Sequence, residues 1–227
     1  MAQSFGARQL AFSLGHDESF ARDDFIAGAA NAAVLTLIDR WPDWPDRVIA
    51  LVGPEGCGKS HIASIWAEDS GARTLSAPLL DKVDPVAALS TGALVLDGLS
   101  PETLEERALF HLLNLAREAK ASVLITARSG PAGWPLKIRD LTSRLRAVPV
   151  VTLDSPDEKL LRTVIVKLAA DRQLVFDGAL VSFLVTRIER SFAGARDAVS
   201  RLDHEAMRQK RPVTRALAAE LFRPAAH

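Results

Sequence analysis

A strand-length apolar run, Val48-Ile49-Ala50-Leu51-Val52, leads directly into Gly53-Pro54-Glu55-Gly56-Cys57-Gly58-Lys59-Ser60, and a helix-forming stretch follows from His61 to about Asp69. The eight central residues fit G-x-x-x-x-G-K-[ST], and a strand before with a helix after is the context that this pattern requires. Glycines let the backbone fold tightly enough for its N–H groups to face a phosphate, and the helix N-terminus adds a favourable field. Lys59 would reach the β- and γ-phosphates, while Ser60 would hold Mg2+. The expected ligand is a nucleoside di- or triphosphate. The expected architecture sets a buried strand directly beneath the loop.

Further apolar runs alternate with helical ones. Residues 27–40 are rich in helix formers and stop at the proline-punctuated stretch 41–45. Residues 74–76 are a weak strand candidate, and 93–96, 122–126 and 148–153 are stronger ones. Residues 101–119 read as a helix with leucines and Phe110 on one face. Continuous Val/Ile/Leu runs point to strands buried on both faces of a parallel sheet, as in an α/β three-layer unit. Past Asp154 only helical periods appear, at 157–171, 178–190, 193–210 and 214–222. Ser155 and Glu158 have capping-box spacing, with Pro156 suited to the first helical position. The expected division is an N-terminal tail over 1–24, a P-loop domain over 25–154 and a small all-α lid over 155–227.

Acidic and basic residues balance at 28 each, which argues against a non-specific nucleic-acid coat built on many basic phosphate contacts. A single cysteine, Cys57, rules out an intramolecular disulfide and fits a reducing compartment. The N-terminus lacks the features of a secretory signal, and no apolar segment has the ~18–20 residues of a membrane span. A cytoplasmic location is expected. The five histidines show no zinc-ligand spacing.

The nucleotide site needs an acidic residue at the end of a neighbouring buried strand. Asp97, after Ala93-Leu94-Val95-Leu96, supplies one and would hold Mg2+ through water; capping of the next turn is its alternative role. Many P-loop ATPases carry a second carboxylate directly afterwards to orient the attacking water. Gly98 stands there instead, and Glu102 lies beyond Pro101. Slow intrinsic hydrolysis is therefore expected.

With the loop, Asp97 and a helical lid together, the chain resembles the AAA+ class, and Gly58-Lys59-Ser60-His61 is similar to its DnaA-related branch. The resemblance covers residues 25 onward and implies a P-loop AAA+ three-layer parallel sheet followed by a lid. It implies that Phe25 and Ile26 lie near the adenine, with His61 beside the loop. It also implies a sensor at Thr126, although Arg128 stands where an acidic residue is common. Ser143-Arg144-Leu145 resembles the box that carries an arginine finger acting in trans on an adjoining subunit. Gly194-Ala195-Arg196-Asp197-Ala198 resembles the second-sensor segment, which would aim Arg196 at the γ-phosphate; the alternative is a solvated surface arginine.

The chain ends at His227, just past the lid, where a DnaA protein would continue into a DNA-binding domain. What remains is similar to the Hda-type regulatory inactivators of DnaA. Gln9-Leu10-Ala11-Phe12-Ser13-Leu14 resembles their sliding-clamp peptide, with Gln9 for a polar pocket and Leu10, Phe12 and Leu14 for apolar ones. A short strand or an apolar strap is the other reading of that stretch. The implied role is a replication regulator, tethered to the polymerase sliding clamp at the replisome, that stimulates ATP hydrolysis by the initiator DnaA through Arg144. A homodimer is among the assemblies open to it. Two other classes stay open: a DNA-associated ATPase or loader using residues 208–215 (RQKRPVTR), and a nucleotide-dependent scaffold.

Overall fold

The computed structural model describes Arg22, residues 25–28 and residues 31–223; the clamp-like peptide from Gln9 to Leu14 lies outside the described residues. Five strands, β1 (Val48–Val52), β2 (Arg73–Ser76), β3 (Ala93–Leu99), β4 (Ser122–Ala127) and β5 (Val150–Thr152), form one sheet. Its order is β2-β3-β4-β1-β5 and every pairing is parallel.

The central strands read as unbroken apolar runs because both faces are covered. Ile49, Leu51, Val95 and Leu124 pack under α1 (Ala32–Asp39) and α2 (Lys59–Ser70), around the fully buried Trp66. Ala50, Val52, Leu94, Leu96, Val123 and Ile125 face the opposite layer, which includes α4 (Glu106–Glu118) and α5 (Arg139–Ala147). Between β2 and β3 the chain makes a 3-10 turn over Ala77–Lys82 and the short α3 (Pro85–Ala88). The expected three-layer α/β unit is the one observed.

The helices beyond the sheet are α6 (Glu158–Asp171), α7 (Gly178–Val185), α8 (Phe192–Gln209) and α9 (Arg215–Leu221). They enclose a second core of Leu161, Ile165, Leu184, Val199, Leu202 and Leu217. Among the described residues no helix is long and apolar enough to cross a membrane.

Several elements depart from the sequence expectation. Helix α5 was not foreseen: only Leu141 and Leu145 are buried in RDLTSRLRA, a minimal i, i+4 stripe in a strongly charged stretch. Helix α4 starts at Glu106 rather than at residue 101. The expected Ser155 cap is replaced by Asp157, whose Oδ1 accepts the Leu160 N–H at 2.7 Å. A carboxylate caps as well as a hydroxyl and also complements the helix dipole, so the later acidic residue takes the position and Pro156 precedes the helix. Replacing Asp157 by Ala should cost about 1 kcal/mol of unfolding free energy in chemical denaturation. Ser155→Ala should leave the midpoint nearly unchanged.

Candidate nucleotide site

Strand β1 ends at Val52, and the Gly53 N–H donates to the Ala127 carbonyl of β4 at 3.2 Å. A Cβ on Gly53 would lie 2.2 Å from the Leu153 carbonyl oxygen, so only glycine lets the chain pass between the neighbouring strand ends. Gly56 and Gly58 take φ values of 72° and 103°, in the left-handed region. Helix α2 follows at once with Gly58 as its N-cap, and its first N–H groups lack intrahelical partners, which makes this end an anion site. Lys59 curls over the loop: Nζ donates to the Gly53 carbonyl at 2.8 Å and the Pro54 carbonyl at 2.7 Å. Cys57 is fully buried beneath, and burial pushes its thiol pKa up, so the sulfur packs rather than attacks.

The carboxyl ends of β3 and β4 supply the polar groups. Thr126 Oγ1 donates to Asp97 Oδ1 at 2.6 Å, and Ser60 Oγ lies 3.2 and 3.3 Å from the two Asp97 oxygens. The Gly98 N–H in turn donates to Thr126 Oγ1 at 2.8 Å. A hydroxyl has one proton to give, and that of Thr126 goes to Asp97. Thr126 therefore acts on this site as a positioning residue for Asp97. The Asp97 carboxylate and the Ser60 hydroxyl are hard oxygen donors side by side, a set that suits Mg2+ completed by phosphate oxygens and water.

Gly98 has a structural role that its sequence position did not disclose. It has φ 76° where the β3–β4 register slips between Leu96 and Leu99, a bulge in the strand. A side chain at this φ costs ~1–2 kcal/mol, so a carboxylate after Asp97 would be placed only against backbone strain.

The lid meets the loop directly. The Phe192 N–H at the start of α8 donates to the Gly56 carbonyl at 2.9 Å. A Cβ on Gly56 would come within 2.9 Å of Ala193 Cβ, and one on Gly58 within 3.2 Å of the Phe192 ring. Buried Ser191 caps the helix by accepting the Gly194 N–H at 2.9 Å. Arg196 is half-buried one turn after Phe192, on the same helix face. Neither Ser191 nor Phe192 was foreseen: Phe192 bonds Gly56, remote in sequence, while Ser191 is a local cap whose partner lies three residues on.

Residues 25–28 run along the seam between sheet and lid. The Phe25 ring meets the His61 ring edge-on at 5.1 Å, and Ile26 packs against the lid core. Buried Asn31 pins this segment, accepting the Gly28 N–H at 2.7 Å and donating to the Ile26 carbonyl at 3.0 Å. The structure thus brings Phe25 and His61 together, while Ile26 turns to the core of the helices beyond the sheet.

Arg144 lies apart, on α5. Its Nη2 is 3.0 Å from Asp140 Oδ2, its Nη1 donates to Asn114 Oδ1, and its guanidinium sits 5.0 Å over the Phe110 ring. In the 208–215 cluster, Arg208 pairs with Glu205 and Arg211 with Glu220, so much of its charge is locally compensated.

Removing the Thr126 hydroxyl should be felt at Asp97 first. Thr126→Val leaves the Gly98 N–H unpaired and frees Asp97, and should destabilise by about 1–3 kcal/mol in chemical denaturation. Thr126→Ser should restore most of that loss.

No protein-family model matches the chain. The "Insertion sequence IS21 putative ATP-binding protein" of Pseudomonas aeruginosa is 33% identical over a segment covering 38% of this chain and 40% of that protein's length. Among solved structures, domain III of the replication initiation protein DnaA from Thermotoga maritima superposes with a TM-score of 0.72 at 17% identity, over 90% of this chain and 98% of that one. AMPPCP-bound DnaA from Aquifex aeolicus gives 0.65 at 15% identity, over 85% and 68%. A mutant form of RuvB from Thermotoga maritima gives 0.69 at 18% identity, over 89% and 71%. The fold shared with these structures, a parallel P-loop sheet followed by a helical lid, is the AAA+ fold.

Proposed function

We propose that this chain is an adenine-nucleotide-binding AAA+ regulator of replication initiation, in which the nucleotide serves as a structural switch. The observation that carries the switch reading is the pair Asp97–Gly98. Asp97 is oriented by Thr126 and Ser60 to hold Mg2+, while the next residue is a left-handed glycine with no carboxylate to position water. The loop, Lys59 and the α2 N-terminus support phosphate binding, and Phe25, Ile26 and His61 would border the base. The ATP-binding relative and the AMPPCP-bound neighbour agree with this ligand class. Nucleotide contacts reach the lid through Arg196 and the Phe192–Gly56 hydrogen bond, so occupancy sets the lid angle. ADP is the expected resident form.

The finer reading is an Hda-type inactivator, held on the polymerase sliding clamp by Gln9, Leu10, Phe12 and Leu14, that stimulates ATP hydrolysis on DnaA. Arg144 is its trans-acting finger. Asn114, Asp140 and Phe110 hold the arginine between α4 and α5, and its remaining N–H donors would serve a neighbour's phosphate. The carboxylate partners of Arg208 and Arg211 weigh against the DNA-loader alternative.

Arg144→Ala should leave nucleotide affinity and clamp retention unchanged while removing stimulation of DnaA hydrolysis, an effect on the scale of ~10³-fold or more for an arginine finger. Stimulation that survives the substitution would reject the finger. Gln9→Ala should lose retention on immobilised clamp; unchanged retention would reject the tether.

A further inference from the structure

A second charged pair stands at the mouth of the phosphate loop. The Ala127 carbonyl holds Gly53, and the next residue along the chain, Arg128, reaches back over the loop, where its Nη2 pairs with Glu55 Oε2. Glu55 is the third residue of the loop itself, between Pro54 and Gly56. A carboxylate on a loop built for phosphate opposes the ligand's charge, and Arg128 offsets that opposition. The two side chains are 75% and 76% exposed, so their pairing contributes little to stability and exchanges readily for a better partner. A terminal phosphate is such a partner, since it offers a guanidinium several charged oxygens in bidentate geometry. Lys59 lies deeper, bonded to the loop carbonyls at Gly53 and Pro54, so the rim cation is separate from it.

Resting on the nucleotide-switch reading, we propose that Arg128 is the group that tells a nucleoside triphosphate from a diphosphate. With a diphosphate bound, Arg128 stays on Glu55. With a triphosphate bound, its guanidinium leaves Glu55 for the terminal phosphate, and Glu55 is released to solvent. Arg128 is a specificity-determining residue whose resting partner sets its threshold, and Glu55 lowers the affinity for triphosphate by competing for it.

The test is calorimetric titration of the full chain with ADP and with the non-hydrolysable analogue AMPPCP, both with Mg2+, for wild type, Arg128→Ala, Arg128→Lys, Glu55→Gln and Lys59→Ala. Arg128→Ala should weaken AMPPCP about tenfold or more, the scale of a charge-assisted hydrogen bond, and change ADP less than about twofold. Arg128→Lys should recover part of the loss, because an ammonium is not bidentate. Glu55→Gln should tighten AMPPCP several-fold with ADP unchanged. Equal effects of Arg128→Ala on both nucleotides, or none on either, would overturn the assignment while leaving the nucleotide site standing. Wild type that binds neither nucleotide, or a Lys59→Ala variant that binds both as wild type does, would overturn the underlying site reading as well.

Discussion

The missing side chain at Gly53 leaves room for the Leu153 carbonyl oxygen 2.2 Å from where a Cβ would stand. That close approach lets the chain leave β1 between the ends of β4 and β5 and turn straight into α2. Everything at the site depends on this passage. The hydrogen bond from Gly53 to Ala127 ties the loop to β4, and Lys59 ties back to Gly53 and Pro54. The lid completes the arrangement from the far side, with Phe192 bonded to Gly56. Sheet, loop and α8 are therefore joined by backbone hydrogen bonds through Gly53 and Gly56.

The polar half of the site is built on a strand irregularity. The bulge at Gly98 points its N–H at Thr126, and the Thr126 hydroxyl donates a hydrogen bond to Asp97. Gly98 thus does two things: its N–H supports the Thr126 hydroxyl that bonds Asp97, and it leaves no second carboxylate directly after Asp97. The cations are distributed in the same spirit, with Lys59 inside the loop, Arg128 on its rim, Arg196 on the lid and Arg144 on a separate surface.

Most of the sheet was legible because burial on both faces leaves unbroken apolar runs, and β1 matches residues 48–52 residue for residue. The strand–loop–helix turn from Gly53 to Ser60 was legible because its glycine spacing is local. What escaped depends on distant partners or on competition between equals. The extension of β3 through Gly98 is a matter of register with β4. Asp157 and Ser155 offered rival caps two residues apart. Helix α5 has two buried leucines and a charged remainder. Asn31, Ser191 and Phe192 look ordinary in sequence, and only the fold shows that they fasten the seam beside the loop.

The central claim is that the loop holds nucleotide without turning it over. The most direct measurement follows binding and hydrolysis of Mg-ATP by the purified full chain under the same conditions. The account predicts saturable binding with turnover far below ~1 s⁻¹, the low end of ordinary enzyme rates. Turnover at or above that rate, or no binding at millimolar nucleotide, would contradict it.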